Sequence, residues 1–119
     1  MGSLLLLLLV GCAGGGEGWL IAEGLGAPDE DAPVVGRRLS ATEHALADAR
    51  ANLYERVCEL YDLQGRPGAD RMAVDPSAQA RVNNLLLGAR VVRQSYDPQA
   101  KTARVTVRCS AKQARQLLR

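Results

Sequence analysis

The chain changes its pattern of apolar and polar positions twice near its start, and each change predicts a different kind of segment. Leu4 to Val10 is an unbroken apolar run, followed by the small Gly11 and then Cys12. The run is too short to cross a bilayer, because spanning the ~30 Å hydrocarbon core takes about 20 apolar residues. Its order is that of an export signal's apolar region and cleavage zone. Gly14, Gly15, Gly16 and Gly18 follow. Glycines in succession cost a helix about 1 kcal/mol each relative to Ala, so they predict a flexible tether and not a continued apolar helix.

From Trp19 onward the periodicities are those of a folded domain. Trp19 to Ala22 predicts a first strand that closes in a turn at Gly24, Gly26 and Pro28, and Asp29 to Val35 reads as an acidic loop. Ser40 followed by Glu43 makes an S-x-x-E capping box, and Leu46, Ala49, Leu53, Val57 and Leu60 recur at helical spacing. They predict a helix from about Ala41 to about Leu63, stopped by Gly65, Pro67 and Gly68, with Ala45, Ala47, Ala49 and Ala51 permitting close approach to a sheet. Asp75 before Pro76 predicts a second helix start, with Val82, Leu85 and Leu86 inward and Gly88 at its end. Ala89 to Tyr96 alternates, Asp97-Pro98 turns, and Thr102 to Cys109 sets Val105, Val107 and Cys109 against Arg104, Thr106 and Arg108. This is the pattern of a hairpin with one buried face. Ser110 can cap a last short helix over Ala111 to Leu118. The expected fold class is α+β, a small antiparallel sheet with a long helix and one or two shorter helices packed on one face.

Composition narrows the core. There is no Phe, and Trp19, Tyr54, Tyr61 and Tyr96 are the only aromatics, so the core must be aliphatic and thin. Met72, Tyr54 and Tyr61 are expected in the core or at its edge. A net charge of +2 is too small to argue for nucleic acid, and the bases are not interleaved with aromatics as stacking platforms require. The charges are unevenly spread: from Gln79 onward Asp97 is the only acid. The favoured reading lays the basic hairpin beside the acidic helix flank of Glu55, Glu59 and Asp62, so that the charges neutralise within the fold. The other reading makes Arg90, Arg93, Arg104 and Arg108 a basic face for anionic lipid heads or cell-wall polymer.

Leu9, Val10, Gly11 and Cys12 resemble the lipobox of bacterial lipoproteins. That resemblance implies cleavage between Gly11 and Cys12, a diacylglyceryl group on the Cys12 sulfur, and acyl chains such as palmitate on the mature N-terminus. The n-region, Met1 to Ser3, departs from export signals in having no Lys or Arg. Retention signals beside the lipidated residue usually involve Asp, and Ala13 stands there, so the sorting rule favours the outer membrane. The organisation expected is a signal peptide over 1–11, a lipidated Cys with a Gly-rich tether over 12–18, and a single α+β domain over 19–119. Trp19-Leu20-Ile21-Ala22-Glu23-Gly24-Leu25-Gly26, Ala45 to Leu53, and Leu86-Leu87-Gly88-Ala89-Arg90-Val91-Val92 leading to Tyr96-Asp97 together resemble the LPP twenty family of small bacterial lipoproteins. Its domain is also similar to one in a flagellar assembly protein. The resemblance implies a periplasmic or surface lipoprotein without known catalysis.

Residues with chemistry of their own are few. Ser40, His44 and Asp48 share one helix face, yet a triad needs its nucleophile on a strained turn beside oxyanion donors, and Ser40 reads as a cap. One His and three scattered Cys give no metal-ligand spacing, and Gly24-x-Gly26 lacks the third glycine and the immediate helix of a dinucleotide loop. No cofactor is expected. With Cys12 acylated, Cys58 and Cys109 are a candidate disulfide in an oxidising compartment, the alternative being two packed thiols. The function expected is that of a membrane-anchored interaction or structural domain without catalysis, meeting an envelope protein or cell-wall partner. The alternative is a small-ligand carrier with a cavity between helix and sheet.

Overall fold

Strand β1 (Trp19–Gly26) is followed by a long helix, α1 (Val34–Cys58), that lies across it. Helices α2 (Gly68–Val74) and α3 (Pro76–Leu87), strands β2 (Arg90–Asp97) and β3 (Thr102–Ser110), and helix α4 (Ala111–Leu117) follow in order. The computed structural model describes residues 18–62 and 64–119, so the expected export signal, Cys12 and the expected tether up to residue 17 lie outside the described residues. The fold is α+β. Its three strands form one antiparallel sheet in the order β1-β3-β2, with β3 central.

The covered face of the sheet is built from small residues on β1 and branched ones on β3. Ala22, Gly24 and Gly26 stand opposite Val107, Val105 and Ala103, and directly opposed residues share a face. Against them α1 turns Ala41, Ala45, Ala49, Leu53 and Val57, an i, i+4 stripe that is buried throughout. Contact is so close that a Cβ on Gly24 would overlap the Ala49 amide and the Ala45 carbonyl, and one on Gly26 the Ala45 amide and the Ala41 carbonyl. Only glycine fits there, which is a steric demand and not a turn signal. Accordingly β1 runs on through the glycines expected to end it. Ala45 and Ala49 make the approach as expected, whereas Ala47 and Ala51 are exposed.

Val82 and Leu86 of α3, Met72 of α2 and Leu118 after α4 extend the core past the end of α1. The largest fully buried side chains are Leu53, Leu118, Val57, Val82, Val105 and Val107. Each contributes about 1.5–3 kcal/mol relative to exposure. The Asp75 carboxylate accepts the amides of Ser77 and Ala78 to start α3, and Ser110 Oγ accepts the Gln113 amide to start α4, both as the sequence indicates.

Three local expectations are corrected. Helix α1 starts at Val34, not near Ala41, because Pro33, with φ −65° and ψ 157°, already has the geometry of an N-cap and needs no side chain there. The capping box is therefore not formed, and Ser40 lies inside the helix. At its other end α1 stops at Cys58 and not at Leu63. Asp62, buried just beyond, draws the chain into a loop by accepting the amides of Gln64 and Arg66 at 2.9 Å each. That loop leads into α2, which carries too few periodic apolar positions to be seen in the sequence. Tyr61 is exposed, while Met72 is buried and Tyr54 packs at the core's edge.

Candidate functional site: the uncovered face of the sheet

The register fixes which side chains point away from α1. On β1 they are Trp19, Ile21, Glu23 and Leu25, opposite Ser110, Arg108, Thr106 and Arg104 of β3. On β2, Arg90, Arg93 and Ser95 stand opposite Arg108, Thr106 and Arg104, with the register shifting between Val91 and Arg93. No described element covers this face: Trp19, Ile21 and Leu25 are 54%, 51% and 49% exposed. It consists of an apolar row along β1, interrupted by Glu23, beside two basic rows.

The arginines here are poorly compensated. Arg104 Nε lies 3.7 Å from Glu23 Oε1, with both side chains about half exposed, so the pair contributes little. Arg108 places its guanidinium 4.1 Å from the centre of the Trp19 ring, a contact worth about 0.5–1 kcal/mol. Its Nε is buried with no hydrogen-bond partner. Among the described residues Arg90 and Arg93 make no ion pair, and Arg90 stands directly opposite Arg108. Asp97, the other acid in this register, spends its Oδ1 on the Gln99 and Ala100 amides at 2.9 and 3.2 Å. Neutralisation against the helix flank, favoured from the sequence, is not what the fold provides. Arg90, Arg93, Arg104 and Arg108 lie on the opposite side of the sheet from α1, and Asp62 is bound to Arg66 Nε at 3.0 Å.

The Ser40, His44 and Asp48 stripe, extended by Asn52, has another task. Ser40 Oγ accepts the Asp29 amide at 2.9 Å, and His44 Nε2 bonds Asp29 Oδ1 at 2.8 Å. Asp48 Oδ2 accepts the Leu25 amide at 2.9 Å, and Asn52 Nδ2 donates to the Glu23 carbonyl at 2.7 Å. One helix face thus holds the loop after β1 and occupies the backbone edge of β1 that β3 does not use. The His44 bond, followed by Ser40, holds the Asp29 carboxyl below its usual range.

Cys58 and Cys109 are free thiols, Cys109 buried on the inner face of β3 and Cys58 on the flank of α1. Burial pushes both thiols above their usual value. Among the described residues no helix is long and apolar enough to cross a membrane. Cys12 and the expected cleavage point between Gly11 and Cys12 lie outside the described residues. No family model, curated protein or solved structure matches the chain.

The uncovered apolar row went unnoticed in the sequence, although its signal is there. Along β1 the small residues Ala22, Gly24 and Gly26 alternate with Ile21, Glu23 and Leu25. Apolar-in and polar-out is the usual reading of alternation. Here the rule from Ala22 to Gly26 is small-in and large-out, because α1 leaves no room for larger side chains beneath that part of β1.

Proposed function

We propose that this chain is a bacterial envelope lipoprotein, anchored in the outer membrane by lipid on Cys12, without catalysis, and working through the uncovered face of its sheet. The observation that carries this reading is where the anchor and the face meet. The bare face begins at Trp19, seven residues after Cys12. A fully extended chain of that length reaches at most about 25 Å. A lipid on Cys12 therefore holds the face close to the bilayer surface.

Two features support the same reading. The lipobox-like Leu9-Val10-Gly11-Cys12 supplies the attachment chemistry, and the resemblance to the LPP twenty family implies a periplasmic or surface lipoprotein without known catalysis. The carrier alternative requires space between helix and sheet, and the contact of Gly24 and Gly26 with Ala41, Ala45 and Ala49 closes that space. Surface grooves, such as the one bounded by Arg81, Leu85, Gln113 and Leu117, open to solvent.

Site-specific photocrosslinking in intact envelopes tests the role of the face. A photoreactive side chain at Ile21 is expected to give adducts, whereas one at Ala51, exposed on the far side of α1, is not. Equal yields from the two positions would contradict the reading.

A further inference from the structure

We propose that the uncovered sheet face docks on the surface of an anionic phospholipid bilayer, so that the domain lies against the membrane and does not hang free on its tether. In the cell this rests on the lipid-anchor reading, but the chemistry of the face can be tested without it.

Three observations point to this occupant. The first is charge: among the described residues Arg90, Arg93, Arg104 and Arg108 share the face with Glu23 and Asp97 as its acids, and Asp97 is engaged by its own turn. The second is a local excess of one sign. Arg90 and Arg108 are cross-strand neighbours, the Arg108 guanidinium lies over the Trp19 ring, and neither makes an ion pair among the described residues. Phosphate headgroups are anions presented in a plane. Third, the apolar row matches an interface. Trp is favoured at the level of lipid headgroups, where its ring meets acyl chains on one side and water on the other. Trp19, Ile21 and Leu25 form that row on the strand nearest to Cys12, with the arginines beyond it. An anchor on Cys12 makes docking intramolecular, so modest intrinsic affinity suffices.

A protein partner is the competing occupant. Adding a strand to the sheet is the usual way for a protein to engage such a fold, but Asp48 and Asn52 occupy the β1 edge at Leu25 and Glu23, and the register of β2 is broken between Val91 and Arg93. The apolar and basic face remains, and it suits an anionic bilayer surface.

Trp19 is the single tryptophan and sits on the face itself, so its fluorescence reports the contact directly. A form beginning at Ala13 retains the whole core, which lies between Leu20 and Leu118, and carries no acyl chain. It is mixed at low ionic strength with vesicles of brominated phosphatidylcholine, with or without phosphatidylglycerol. The expected result is a blue shift and quenching of Trp19 only when phosphatidylglycerol is present. Arg90→Glu with Arg93→Glu, both exposed on β2, should weaken partitioning by several hundred-fold, since reversal at each position removes an attraction worth roughly fivefold and adds a repulsion of about the same size. Arg90→Gln with Arg93→Gln, with unchanged circular dichroism, gives the same reading at about half the logarithmic effect if charge reversal disturbs the hairpin. Trp19 remaining in water on every vesicle overturns the proposal, as does wild-type partitioning by the charge variants. Binding without quenching overturns it too, because the contact then lies elsewhere. A face that stays wet on vesicles but crosslinks to an envelope protein belongs to that protein. Palmitate labelling at Cys12 tests the anchor separately, so the two ideas fail independently.

Discussion

The Asp48 carboxylate accepts the Leu25 amide at 2.9 Å, so a helix side chain occupies the strand edge where another strand would pair. Asn52, one turn later, donates from Nδ2 to the Glu23 carbonyl at 2.7 Å on the same edge. Unpaired strand edges invite association, and this one is closed from within the fold. Asp48→Ala and Asn52→Ala are each expected to cost about 1 kcal/mol in urea unfolding, the usual net value of such bonds. Hydrogen exchange at the Leu25 amide should accelerate in Asp48→Ala. Unchanged exchange would show that the bond does not form in solution.

Glycine positions give a sharper contrast. Gly24→Ala places a methyl group onto the backbone of α1 at Ala45 and Ala49, which cannot move aside as a flexible side chain can. Overpacking of this kind typically costs 1–3 kcal/mol and occasionally more; with backbone as the obstacle, a loss of about 3 kcal/mol or more is expected. Gly36→Ala, where the new Cβ meets only Pro33 side-chain atoms at 3.7 and 3.8 Å, should instead stabilise by about 0.5 kcal/mol. Thermal unfolding of the two variants decides it; similar effects would contradict the packing described.

The same glycines show where the sequence was legible and where it was not. Elements defined by a local signal are found close to where the pattern puts them: the Asp75 and Ser110 caps, the alternation of β3, and the stop at Gly88. Elements whose limits depend on tertiary contact are not. Gly24 and Gly26 read as a turn because the demand for glycine comes from a helix about twenty residues later in the chain. Ser40 and Glu43 have the spacing of a cap, yet Pro33 had already started the helix. Charge could be counted but not placed, since only the pairing of β1 with β3 assigns the arginines to the face away from α1.

Asp62 predicts how stability depends on pH. The Arg66 amide, then the Gln64 amide and the Arg66 charge, hold its carboxyl below the ordinary value of 3.8, against burial acting in the other direction. A depressed folded-state value means that the ionised form favours the native state. Its contribution is present above the unfolded value and is lost as pH falls through the folded one. Wild type and Asp62→Asn should therefore differ by a constant amount near neutrality and converge as the pH drops below 3.8. A difference that does not change with pH would contradict this.

Buried Cys109 and half-buried Cys58 should both behave as slow-reacting free cysteines. Their raised values leave little thiolate at neutral pH, so alkylation of the native protein should be slow. After unfolding without reductant, Cys58 and Cys109 should both be labelled. Labelling that appears only after reduction would establish a disulfide between them.

The lipid anchor is the centre of the account, and metabolic palmitate labelling of the full chain in a bacterial host tests it most directly. Cys12 is the only residue in the chain with the expected place behind an apolar run. The wild type should incorporate label and migrate as a processed form in the membrane fraction, while Cys12→Ser should remain unlabelled as a slower-migrating precursor. A Cys12→Ser chain that is labelled and processed like the wild type would contradict the account.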